Sequence, residues 1–336
     1  MKAMALLAAA LLLACGADEP LDVLTLTEPT GPAVLVREAA GSTDGGDDLF
    51  VPTRPTVVNG NVWVLDAAND HLVRFDSTLA HAVRVGREGE GPGELEFAQD
   101  FVVSGGRLIV AESGNSRFSV FDTTGAFLHT LPAAEAPRFV AVVGPHLLAT
   151  GGGIAPYVAR VDSSGRTSAH AAIPESLRRL AASDPRRYLA AEPYIAADPR
   201  GELTVLDQSV LALARFDLEG QLLDVRLLPE PFRTQLLERR LEQRAAWGAR
   251  AAAFVDSPAT KSISVGDDGR ILIPFSLDDH WGLLVDPVAG TARPLPMPAD
   301  TRLRDLLWAA ADTRLVGNRL YIVSGSQLYQ FAVEGW

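Results

Sequence analysis

One pattern recurs six times along this chain, and a recurrence at this spacing restricts the fold more than any other feature. Gly60-Asn61-Val62-Trp63-Val64-Leu65-Asp66 is followed by Asn69 and then Val73-Arg74-Phe75-Asp76. Forty-six residues later Gly106-Arg107-Leu108-Ile109-Val110-Ala111-Glu112 is followed by Asn115 and Ser119-Val120-Phe121-Asp122. Period-2 alternation bounded by Gly and Asn is the signature of half-buried antiparallel strands joined by tight turns. Weaker copies begin at Gly144, Gly201, Gly269 and Gly317. The first inward aliphatic residues fall at 62, 108, 147, 203, 271 and 320, so the spacing varies through insertions.

Each copy has room for about four short strands, counting one before the Gly turn and one after Phe-Asp. Six such antiparallel units predict an all-β, six-bladed β-propeller rather than a sandwich or solenoid. The last copy ends near Phe331, too early for a fourth strand. Leu21–Leu26 or Ala33–Arg37 is expected to supply it, closing the ring by pairing the two ends of one domain over residues 21–336.

The second copy carries a family resemblance. Gly86-Arg87-Glu88-Gly89-Glu90-Gly91-Pro92-Gly93-Glu94-Leu95-Glu96-Phe97, then Leu108–Glu112 and Asn115-Ser116-Arg117, resembles an NHL-type repeat of bacterial six-bladed propeller lipoproteins. The likeness covers about 45 residues and fades elsewhere: His71 stands where this blade has Arg117, and no Asn-x-Arg follows Asp207. The resemblance implies a binding scaffold.

The N-terminus reads as an export signal. Met1-Lys2 precedes an unbroken Ala/Leu/Met run from Ala3 to Ala14, too short to span a bilayer as a helix but suited to a signal-peptide core. It ends Leu12-Leu13-Ala14-Cys15, which resembles the bacterial lipobox. That likeness implies cleavage after residue 14, lipidation of Cys15 and a short tether over 15–20, with several acyl chains giving stable membrane anchoring. Gly16 is not the Asp that retains some lipoproteins at the inner membrane, which fits an outer-membrane position facing the periplasm. Cys15 is the sole cysteine, so no internal disulfide can form and stability must come from burial. The net charge of −12 argues against general nucleic-acid binding, which requires phosphate neutralisation. A monomer is expected.

Five long blade-to-blade connections, 86–100, 132–138, 174–192, 229–262 and 293–311, must crowd one face of such a propeller. Long connections on a rigid scaffold are where binding concentrates. Three look helical: Pro174–Ala182, Pro231–Phe254 and Arg302–Ala311. In the second, Leu237, Leu241, Ala245, Ala249 and Ala252 mark one side, and Arg233, Arg239, Arg240 and Arg244 the other. These five connections hold 15 Lys plus Arg and 15 Asp plus Glu, whereas the rest of the mature chain is strongly acidic. Arg87, Arg233, Arg239, Arg240 and Arg244 are therefore candidate contacts for a polar or anionic ligand, because Arg suits carboxylate and phosphate recognition.

No His-Glu-x-x-His, Cys-x-x-Cys, Gly-x-Ser-x-Gly or Walker loop occurs, and the six histidines lack ligand spacing. Gly86–Gly93 reads as a Gly-Pro turn, since its glutamates would repel phosphate. Asp66, Glu112 and Asp207 end second strands and are weak candidates for a divalent cation, a central metal being used by propellers of the gluconolactonase type. An acidic residue before Asn in a short turn more simply accepts backbone hydrogen bonds. The expectation is therefore a non-enzymatic envelope scaffold, without cofactor, that binds a protein, peptide or glycan through its insertion-bearing face. The alternative is a metal-dependent, lactonase-like hydrolase or lyase with a central-channel site.

Overall fold

A computed structural model describes residues 21–27, 34–41, 52–152, 157–183, 193–251, 259–324 and 326–334. Cys15 and the expected signal segment over residues 1–14 lie outside them. Six antiparallel four-stranded sheets are arranged as a ring, and in five of them the four strands run outward in chain order. The first five blades span Pro52–Val85, Ala98–Pro132, Ala136–Ala171, Tyr194–Leu227 and Ser264–Pro296. The first strands of successive blades lie next to one another all the way round, so they line the axis. Among the described residues no helix is long and apolar enough to cross a membrane.

The sixth blade takes Ala310–Val316, Arg319–Ser324 and Gln327–Glu334 from the C-terminus, and its outer strand is Val34–Gly41 from the N-terminus. That strand pairs antiparallel with Gln327–Glu334, from Leu328↔Gly41 to Glu334↔Val34. The two chain ends thus share one sheet and no blade boundary is left open. Of the two segments expected to close the ring, the second does so. The first does something different: Asp22–Val23 and Thr25–Leu26 add parallel fifth strands to the outer edges of blades four and five. Leu24 between them is buried with Leu213, Leu228 and Ala292, pinning the strap across the boundary of these blades.

Burial departs from the half-buried expectation in the second strands. Val62 to Asp66 are all buried, as are Leu203 to Asp207, because blades stack face to face and cover both sides of these strands. Only outer strands such as Phe127–Pro132 remain largely exposed. The turns joining third and fourth strands share one device. Asp76, Asp122, Asp162 and Asp217 each accept backbone N–H groups two and four residues on. Gly220, at φ 83°, ends one of these turns against the preceding blade; a Cβ there would lie 1.9 Å from the carbonyl oxygen of His170.

The three helices are α1 (Glu175–Ser183), α2 (Phe232–Ala251) and α3 (Thr301–Ala309), all in blade-to-blade connections and hence on one face. The side of α2 packed on the blades is Phe232, Leu236, Leu237 and Arg240; of the expected stripe Leu237 is buried, Leu241 half-buried and Ala245 exposed, while the Ala249 side chain and Ala252 lie outside the described residues. Phe232 fixes this phase by packing against Phe275 and His280 of blade five, with ring centroids 5.9 and 5.0 Å away.

Candidate ligand-binding site

The axis of the ring is closed by one side chain. Arg54 sits at a bulge in the first strand of blade one, in the left-handed region at φ 56° and just before Pro55. Its Nε lies 2.9 Å from Asp100 of blade two. The guanidinium covers the rings of Phe139 and Tyr194, from blades three and four, at 5.6 and 5.9 Å. One terminal nitrogen donates to the Ile263 carbonyl beside blade five, and the Arg54 backbone N–H donates to Asp312 of blade six at 2.8 Å. A residue of one blade therefore touches all five others.

The two carboxylates around Arg54 are each held by more than one donor. Asp100 accepts N–H groups from Phe101 and Val140, and Asp312 accepts from Thr313 as well as Arg54. Burial pushes the Asp100 carboxyl up to about 6, against the opposing pull of Arg54 and the two N–H donors. Burial also works against the Arg54 charge, but Asp100 and Asp312 more than offset it and its pKa is raised. Arg314, half-buried two residues beyond Asp312, has its pKa lowered by burial and by Arg54. A divalent cation needs several free oxygen ligands. This axis offers two carboxylates already turned to Arg54 and to backbone N–H groups, with a guanidinium between them, so its residues do not fit a central metal.

The acidic residues singled out at the ends of second strands are likewise occupied. Asp66 is fully buried and accepts the Asn69 amide at 2.8 Å, and His71 turns its Nδ1 to the Asn69 carbonyl. Glu112 receives Asn115, Arg117, Ser119 and the Glu96 N–H. Asp207 receives the Tyr157 hydroxyl and the N–H groups of Ser209 and Val210. Burial, the Asp207 charge and this bond hold the Tyr157 hydroxyl well above its usual pKa. Among the described residues no three His, Cys, Asp or Glu side chains are grouped as a metal would require.

The arginines of the insertion-bearing face separate into different places. Arg87 is tied to Glu94, and Arg117 donates to the carbonyls of Glu90, Gly91 and Glu94, so the 86–97 loop is held by its own blade. Arg233 pairs with Glu230 at 2.9 Å. The Arg244 side chain lies outside the described residues. Arg239 and Arg240 come together at a cavity of about 480 Å³ between α2, α3 and the chain entering blade five. Its walls include Tyr194, Leu236, Gln243, Thr260, Lys261, Phe275 and Trp308. Arg240, expected on the outer face of α2, is instead 2% exposed and donates to the Gln208 carbonyl at 2.7 Å. The helix phase set by Phe232 and Leu236 turns it inward, where its long stem packs as apolar surface.

Lys261 is the site residue that sequence reading missed. It sits in the connection after α2, which Gln208 holds by accepting the N–H groups of Ala259 and Thr260 and donating to the Thr260 hydroxyl. Its Nζ donates to the Leu307 and Trp308 carbonyls, at 3.0 and 2.8 Å, where the C-terminal end of the α3 dipole favours a cation. Burial lowers its pKa to about 8, Asp312 pulling it upward and the like charge of Arg239 pushing it further down. The Arg239 guanidinium lies over Trp308, 4.8 Å from the ring centroid, and its NH1 is buried with no hydrogen-bond acceptor among the described residues. Among the described residues no carboxylate lines this cavity; Arg239 also borders a second cavity, lined by Glu238, Glu242, Asp278 and Asp279. Arg239 over Trp308 and Lys261 beside it, in walls that also hold Tyr194 and Phe275, can receive an anionic group on a partly apolar body.

No family model matches this chain, and no curated protein does so either. Solved structures do. A catalytically inactive virginiamycin B lyase from Staphylococcus aureus, with quinupristin, is 12% identical at TM-score 0.53, over 84% of this chain and 80% of that one. A Bacteroides fragilis protein whose name marks it as exported is 11% identical at TM-score 0.59, over 93% and 99%. A gluconolactonase from Xanthomonas campestris is 14% identical at TM-score 0.53, over 91% and 98%. At such identities the shared property is the propeller fold.

Proposed function

We propose that this chain is a cell-envelope lipoprotein, exported and anchored through Cys15. Its propeller acts as a non-enzymatic scaffold for a protein, peptide or glycan ligand that presents an anionic group to the insertion-bearing face. The carrying observation is the convergence of Arg239, Arg240 and Lys261 on one cavity with no carboxylate among the described residues of its walls. The like charge of Arg239 beside Lys261 is unfavourable, and an arriving anion relieves it. The Arg54 seal supports placing the site off the axis, between the fourth and sixth blades.

The lyase and gluconolactonase among the structural neighbours suggest the enzymatic alternative, but at the axis Asp100 and Asp312 are turned to Arg54 and to backbone N–H groups instead of a metal. The test is to equilibrate the purified protein and its R239E/K261M variant with small molecules and peptides extracted from cell envelopes, then identify retained compounds by mass spectrometry. Acidic compounds enriched by the wild type and lost from the variant are expected. Equal retention by both proteins would overturn the assignment.

A further inference from the structure

The strap at residues 22–26 bears on how the propeller meets a membrane. Of the ten large apolar side chains that stand exposed among the described residues, six are Val23, Leu26, Leu218, Leu222, Leu223 and Val288. All six lie on the strap itself or on the outer strands and turns of blades four and five, to which it pairs. The remaining four, Val83, Phe97, Leu128 and Trp308, are scattered over other blades and the insertion-bearing face. The rim is continuous across the blade boundary. Arg226, opposite Asp22, donates to the Pro287 carbonyl beside Val288, and the Thr25 N–H donates to the Gly290 carbonyl.

The chain preceding the described residues ends at Leu21, at this rim. Leu21 is six positions on from Cys15, and six such steps reach at most about 20 Å when fully extended. We infer that the outer rim of blades four and five is the surface that rests on the lipid bilayer, so that the propeller is held edge-on. This rests on the lipid-anchor reading of Cys15. A short tether that leaves from the apolar part of the rim keeps that part within reach of the bilayer, and exposed Leu and Val side chains gain by entering its boundary. Edge-on placement also leaves the insertion-bearing face open along the membrane surface, uncovered by it.

Because Cys15 is the sole cysteine, orientation can be measured without native lipidation. The mature chain from Cys15 is coupled to a maleimide-headgroup phospholipid in phosphatidylcholine vesicles, and hydroxyl-radical oxidation is compared with the untethered protein by mass spectrometry. Oxidation of Val23, Leu26, Leu222, Leu223 and Val288 is expected to fall about threefold or more, with Val83, Phe97, Leu128 and Trp308 unchanged. No protection, or protection at Phe97 and Trp308, would overturn the edge-on orientation. So would rim protection in the untethered protein that grows with its concentration, since the rim would then join two copies of this chain. The anchor reading is judged separately, by fatty-acid labelling of the wild type and C15S in cells.

Discussion

Replacing Arg54 with Met tests the axial seal. Met keeps most of the length, and the left-handed backbone is unchanged because both residues carry a Cβ, so the variant isolates the guanidinium. Its loss leaves Asp100, 1% exposed, without its counter-ion. Breaking a buried pair from one side costs about 3–5 kcal/mol. The cost depends on pH in a definite sense. The Asp100 pKa is about 6 in the folded protein and 3.8 ordinarily, and this difference disfavours folding by about 3 kcal/mol once the group is ionised. A carboxyl raised on folding penalises the native state above the folded value, and the penalty fades as pH falls towards the unfolded value. Arg54 limits that penalty, so its removal raises the Asp100 pKa further and hurts most where Asp100 must be charged. At pH 5 the wild-type carboxyl is already largely protonated and has little ion pair left to lose. Urea unfolding followed by circular dichroism should therefore show R54M less stable by about 3–5 kcal/mol at pH 8, with a clearly smaller deficit at pH 5. A deficit below about 1 kcal/mol at pH 8, or one of equal size at both pH values, would refute the reasoning.

Three further outcomes follow from the same geometry. Lys261 is charged below about pH 8, so citrate binding measured by calorimetry should weaken as pH rises from 7 to 9.5, and K261M should flatten that dependence. L24A should lose about 2–4 kcal/mol in urea unfolding by emptying the gap between blades four and five, while V23S, half exposed, should stay within about 0.5 kcal/mol. Q208A removes three hydrogen bonds to Ala259 and Thr260, and should cost about 1–3 kcal/mol and speed hydrogen exchange over residues 259–261.

The ring, the number of blades and the three helices were legible in the sequence because each rests on local periodicity. Gly60 to Asp76 shows two strands and their turn within one glance, and Phe232 to Ala251 has no interior Pro. The axis was not legible, because Arg54, Asp100 and Asp312 are brought together across 46 to 258 positions of chain. A charged residue placed in a first strand, as in Thr53-Arg54-Pro55, Gln99-Asp100-Phe101 and Ala311-Asp312-Thr313, was the available signal. The cavity was half legible. Arg239 and Arg240 were singled out by composition, but their sides of α2 depended on how Phe232 docks on blade five, and Lys261 depended on the end of α3. The strap escaped because two-residue parallel strands have no period to detect.

The central claim is that anions enter between α2 and α3 and not the axis. Hydrogen–deuterium exchange with and without citrate tests it directly, since peptides covering 232–243, 259–261 and 301–309 report on the cavity and those covering 52–58, 98–104 and 136–143 on the axis. Citrate should slow exchange in the first group and leave the second unchanged, and the effect should vanish in R239E/K261M. Slowing confined to the axial strands, or the same slowing in the variant, would contradict it.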